Sequence, residues 1–113
     1  MFNVDELTIK QVRELQAMVA NNAPDAAHPY VIEQNYFIRT VTCYYTGRLV
    51  RITQQELVLE DAAWIADTGR FNEALVTGVL KEVEPFPNGP VIIGRGSLVD
   101  AVAWVHELPR KAK

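Results

Sequence analysis

Residues 36–65 read Tyr-Phe-Ile-Arg-Thr-Val-Thr-Cys-Tyr-Tyr-Thr-Gly-Arg-Leu-Val-Arg-Ile-Thr-Gln-Gln-Glu-Leu-Val-Leu-Glu-Asp-Ala-Ala-Trp-Ile. This stretch decides the fold. Its β-branched and aromatic residues recur in short blocks parted by turn signals, the signature of strands rather than helices. Tyr36 to Tyr45 is predicted as one strand, Thr46-Gly47 as a bend or bulge, and Gly47 to Thr53 as a second strand. In the second, Arg48, Val50 and Ile52 alternate against Leu49 and Arg51. Gln54-Gln55 makes a turn into a third strand, Glu56 to Ile65, with Leu57 and Leu59 on one face. Strands this closely spaced form an antiparallel sheet.

Downstream, the predicted strand end carries Trp64 and Ile65 and breaks at Asp67-Thr68-Gly69. A short helix is expected over roughly Arg70 to Thr77. Asp67 or Thr68 supplies its N-cap oxygen, Phe71, Ala74 and Leu75 its buried stripe, and Gly78 its C′ residue. Glu84 to Pro90 reads as a stiff loop, and Val91–Ile93 as a strand interrupted by Gly94-Arg95-Gly96-Ser97. Residues 98–105 read as strand, because β-branched and aromatic residues dominate and glycines flank them.

Upstream, residues 8–21 fit an amphipathic helix. Thr8 and Gln11 match a capping box, and Val12, Leu15, Met18 and Val19 form an apolar stripe. Residues 22–34 read as a linker, with Pro24 and Pro29 favouring extended geometry. The expected class is therefore α+β: an antiparallel sheet with an N-terminal amphipathic helix and one short helix after the third strand. It forms a single domain over residues 1–113, with a β-rich core at 36–105 and a tail at 106–113 whose basic end, Arg110–Lys113, reads as solvated and frayed.

The totals suit such a domain: 113 residues, 49% apolar and 22% charged. The net charge of −3 argues against binding duplex nucleic acid, which takes several cations along the phosphates. No run of about 18 apolar residues marks a membrane span, and the acidic N-terminus lacks the pattern of a signal peptide. A cytoplasmic location follows as the expectation. Cys43 stands alone, inside an apolar strand pattern, and reads as a small buried hydrophobe.

Catalytic chemistry finds little footing. His28 reads as a surface histidine in the linker and His106 as an edge of the last strand. Neither has metal-ligand spacing, so no metal, cofactor or enzyme activity is expected. The binding residues are chosen by chemistry. Arg70, Phe71 and Asn72 offer a cation, an aromatic face and an amide together at a helix start. Arg95 sits between two glycines that would let a backbone nest approach an anion, and Trp64 offers a stacking surface. Arg110 adds a further cation. Arg39 and Arg51 suggest ion pairs with neighbouring strands, and Asp100, alone in an apolar run, calls for an arginine opposite.

From Tyr36 onward the chain resembles a small β-rich family of phages and prophages. The resemblance rests on Phe-Ile-Arg-Thr-Val-Thr at 37–42, Thr-Gly-Arg-Leu at 46–49 and Leu-Glu-Asp-Ala-Ala-Trp-Ile-Ala-Asp-Thr-Gly-Arg-Phe at 59–71. Glu-Pro-Phe-Pro at 84–87, the Gly-Arg-Gly segment and His-Glu-Leu-Pro-Arg at 106–110 complete it. Some proteins of this kind are anti-Thoeris sponges, which sequester cyclic ADP-ribose isomers, and members of the group also resemble binders of cyclic di- and trinucleotides. The resemblance implies a homo-oligomer, dimer or hexamer, acting in the host bacterial cytoplasm on a small anionic cyclic nucleotide. In that role Arg70, Arg95 and Arg110 would meet phosphates, Phe71 or Trp64 would stack on a base, and Asn72 would read an edge. The alternative expectation is a virion or assembly protein, with its arginines in ion pairs.

Overall fold

The computed structural model describes residues 28–113. The expected helix at 8–21 and residues 22–27 of the expected linker lie outside the described residues. The chain divides into two compact units, Met1–Val31 and Ile32–Lys113, at a boundary inside the expected linker. In the first unit His28 is buried, not on the surface as expected, and its Nδ1 accepts the Tyr30 N–H at 3.2 Å.

The second unit is a mostly antiparallel sheet carrying one short helix. Its strands are β1 (Asn35–Thr40), β2 (Tyr44–Ile52), β3 (Glu56–Asp67), β4 (Glu82–Pro85), β5 (Val91–Gly94) and β6 (Leu98–Ala103). The helix α1 spans Phe71–Thr77, and a 3-10 turn spans Arg95–Ser97. The strand order is β4-β3-β2-β1-β6, with β5 also paired to β3. β3 is the organising strand. β2 lies along its whole length, while β5 pairs with its first residues and β4 with its last.

The expected strand at 36–45 is two strands. Thr40 ends β1 and folds the chain back on itself: its Oγ1 accepts the Cys43 N–H at 2.9 Å and donates to Cys43 O at 2.7 Å. A hydroxyl satisfying the backbone of a tight turn competes with continued pairing. Cys43 is consequently half-exposed in a turn rather than buried mid-strand.

Thr46-Gly47 does hold a bulge, but β2 runs through it. The register against β3 slips between Thr46 and Arg48, where Asp61 takes a positive φ of 52°. Gly47 suits this close approach, since a Cβ would lie 3.0 Å from Leu59 Cδ1 and 3.3 Å from Ala62 Cα and would have to push them aside. A second slip between Leu49 and Arg51 brings Leu49 and Ile52 to burial together, where simple alternation puts them on opposite faces.

The core has two sides. On one, Phe37, Ala63, Ile65 and Val83 from the sheet pack with Ala74, Leu80 and Trp104, and Phe71, Leu75 and Leu108 lean against them. On the other, Ile38, Leu49, Leu57 and Leu59 are fully buried. Fully burying each such side chain contributes about 1.5–3 kcal/mol. The expected loop at 84–90 begins two residues too early, because Pro85 and Pro87 mask the end of a strand that needs only four residues to pair with β3.

Candidate functional site: a basic cleft between the helix and the C-terminal segment

β3 ends at Asp67, whose Oδ1 accepts the Gly69 N–H at 2.7 Å. Asp67 is therefore engaged in the turn before α1, and the helix starts at Phe71, too far along the chain for Asp67 or Thr68 to hold the N-cap position. The N-cap is Arg70 instead, with no side-chain cap, and Thr68 Oγ1 donates to Gly69 O. At seven residues α1 is too short to act as an anion-binding helix end. It is anchored by its buried face, Ala74 with Phe71 and Leu75, and closed by Gly78. Gly78 sits at φ 78° and donates its N–H to Ala74 O.

The segment after β6 folds beneath this helix, and residues 110–113 are exposed as expected, but the backbone of Lys113 is paired rather than frayed. Trp104 Nε1 donates to Glu107 O at 3.1 Å, and His106 Nε2 lies 2.8 Å from Leu75 O near the end of α1. His106 therefore leaves the sheet edge expected for it and covers Gly78. Val83 and Lys113 exchange both backbone hydrogen bonds, at 3.0 and 2.9 Å, which closes the outer edge of β4.

Two adjoining clefts result. One, of about 430 Å³, is lined by Arg70, Lys81 and Lys113 with Thr77, Leu80 and Glu73. The other, of about 530 Å³, is lined by Arg110, Lys111 and Lys113 with Thr77, Leu80 and His106. Thr77, Leu80 and Lys113 belong to both. Five cations thus border the pair against two carboxylates, Glu73 and Glu107, in a chain of net charge −3. Lys81 lies 3.9 Å from Asp67 and Arg110 lies 3.5 Å from Asp61. Arg70, Lys111 and Lys113 carry no ion pair among the described residues.

The expected binding residues are therefore sorted. Arg70 and Arg110 border the adjoining clefts. Phe71 does not: its ring lies 5.4 Å from Phe37, and the Arg39 guanidinium stacks 4.6 Å above it. Asn72 is exposed on the first turn of α1 and lines neither cleft. Ala63 and Ile65 face α1, so Trp64 between them points to the opposite face. There it is 36% exposed, on the same face as its cross-strand partner Tyr45, which stacks on Phe86 at 6.3 Å.

Arg95 is remote from Arg70. Its N–H donates to Gln55 O at 2.7 Å and its Nη1 to Thr53 O at 2.7 Å, at the turn before β3. Arg70 lies beyond the other end of that twelve-residue strand, roughly 35 Å of extended chain away. Nor is Gly94-Arg95-Gly96 a nest. Neither glycine has positive φ, and a Cβ on either would meet nothing within 4 Å.

Arg39 and Asp100 form the cross-strand pair their sequence context called for. Arg39 Nε donates to Asp100 Oδ1 at 2.8 Å and Nη2 donates to Oδ2, while β1 and β6 hold the two residues opposite each other. The guanidinium's hydrogen bonds hold the Asp100 carboxyl below its ordinary pKa. Asp100 is partly exposed rather than buried. Arg48 bonds Glu33 at 2.6 Å and approaches Asp61 at 3.5 Å. Arg51 is exposed, without the ion pair expected of it among the described residues. At the β1–β2 turn the Cys43 thiol is held below its usual pKa, chiefly by hydrogen bonding with Thr42.

Sequence reasoning missed Lys81, Lys111 and Lys113. The signal was the basic run at 110–113, the chain's only one, which reads as solvated unless its backbone is known to pair with β4. Among the described residues no cluster of His, Cys, Asp and Glu is arranged to hold a metal ion, and no helix is long and apolar enough to cross a membrane. No protein-family model matches the chain, and a search of curated proteins finds no match.

Proposed function

We propose that this chain is a binding protein that sequesters a small anionic cyclic nucleotide without turning it over, as the sponges it resembles do in the host bacterial cytoplasm. The observation that carries the reading is the convergence of Arg70, Lys81, Arg110, Lys111 and Lys113 on two adjoining clefts. Volumes of about 430 and 530 Å³ fall in the range of small-molecule sites. Arginine forks pair with phosphate oxygens, and lysines add point charge. Leu80, Val79 and Leu108 supply apolar wall, and His106 supplies a ring. The arrangement favours the cleft-lining arginines, Arg70 and Arg110, over Arg95, Phe71 and Trp64 as the groups that meet the ligand.

Calorimetric titration with cyclic ADP-ribose isomers and cyclic di- and trinucleotides tests the proposal. One of these should bind and be recovered chemically intact after the protein is denatured. Replacing Arg70 or Lys113 with Ala should weaken that binding about tenfold each, the loss expected for one charge-assisted contact. Silence across the panel would sink the reading.

The second reading is a virion or assembly protein. It is supported by the ion pairs of Arg39, Arg48 and Arg110 with Asp100, Glu33 and Asp61, since arginines committed to carboxylates serve architecture. It predicts no heat with any nucleotide and co-purification with phage particles.

A further inference from the structure

Among the described residues the β4 edge of the sheet is bridged at Val83, while the outer edges of β5 and β6 have no strand partner. β4 is covered by the backbone of Lys113, whereas β6 pairs only with β1 among the described residues. The Trp104 N–H donates to Asn35 O at 2.8 Å. Trp104, Val102 and Asp100 therefore direct their backbone groups toward β1, and Ala101 and Ala103 direct theirs outward. Natural edge strands are protected by lysine, proline or bulges. The register slip beside Val99 ends the regular ladder before Asp100, and among the described residues no strand covers the outward side of Ala101–Ala103. No lysine or proline occurs in 98–105, and the one charge, Asp100, is bound to Arg39 through both oxygens.

The β6 edge is also a near-palindrome, Val99-Asp-Ala-Val102-Ala-Trp-Val105. We propose that it pairs antiparallel with the same strand of a second copy about a two-fold axis at Val102. In that register Ala101 and Ala103 exchange hydrogen bonds with the partner's Ala103 and Ala101. Val102 faces its own copy, and Val99, at the register slip, comes opposite the partner's Val105, which lies just past the end of β6. Those three valines are 40%, 59% and 81% exposed in the single chain, and this one register covers all of them. A foreign strand has no reason to match the spacing; a second copy matches it by symmetry.

Sedimentation and light scattering on the full chain, with three variants, test this. The wild type should show twice the 12.7 kDa of one chain. Val105→Lys, at an exposed position, should halve the mass. Adding Val99→Glu to it should restore the dimer, because each Lys then faces a Glu across the axis. In a Cys43→Ser background, Val102→Cys should form an intermolecular disulfide on oxidation, since residues at a non-hydrogen-bonded pair sit about 4.5 Å apart at Cα. A monomeric wild type overturns the proposal. So does a dimer that Val105→Lys leaves intact and Val102→Cys fails to crosslink.

Discussion

At the residue scale, Arg39 shows why a cation in a strand is not by itself a ligand-binding cation. It stacks on Phe71 and forks onto Asp100, so one face and the Nε–Nη2 fork are already committed. The need for this pair was visible in the sequence, because a lone Asp in an apolar run requires a partner. What was not visible is that the same arginine would cover the aromatic ring assigned to base stacking. The pair has a pH signature. Asp100 has a depressed folded-state pKa, so its stabilisation is present above the unfolded carboxylate value, near 3.9, and is lost as pH falls through the folded value. Thermal melts of Asp100→Asn should therefore show a lower midpoint than wild type at pH 7. The gap should close in strong acid, where wild-type Asp100 is protonated as well.

At the element scale, α1 was legible at one end only. Its C-terminus follows from glycine chemistry, and Gly78 takes the left-handed conformation the sequence suggests. Its N-terminus differs from the expected one because Asp67 serves the preceding turn and the helix starts only at Phe71, leaving Arg70 as N-cap, a choice among local hydrogen bonds that residue type does not decide. Gly78 is held twice over, by its φ of 78° and by His106, whose Cγ would lie 2.5 Å from an added Cβ. Gly78→Ala should cost more than the roughly 1 kcal/mol of left-handed strain alone and lower the melting midpoint by at least about 4 °C. It should also loosen the contact between His106 and Leu75, which hydrogen exchange at the end of α1 would report.

At the scale of the whole molecule, the antiparallel sheet and the short helix were readable, since strand blocks and turn residues carry them directly. The hairpin at Val41–Cys43, the four-residue β4 and the path of 104–113 were not. The hairpin turns on a local competition, the Thr40 hydroxyl bonding the Cys43 backbone three residues on, whereas the other two depend on partners distant in sequence: β3 for β4 and Val83 for Lys113. The candidate site was legible in part for the same reason. Arg70 and Arg110 carry a chemical signal, but only the fold of the tail beneath α1 brings them to adjoining clefts, and only the length of β3 separates Arg95 from them. Phe37, fully buried at the centre of the cluster that supports this arrangement, should cost about 3–5 kcal/mol when replaced by Ala. Denaturant melts would measure that loss.

The central claim is that the clefts bordered by α1 and the C-terminal segment hold the anionic ligand. Amide NMR spectra recorded while the protein is titrated with a cyclic ADP-ribose isomer or a cyclic dinucleotide test it most directly. The account predicts saturable shifts at Arg70, Thr77, Lys81 and residues 110–113, with Gln55 and Arg95 unmoved. Saturable shifts at Tyr45, Trp64 and Phe86 or at Arg95 in place of those residues, or none with any nucleotide in the panel, would contradict it.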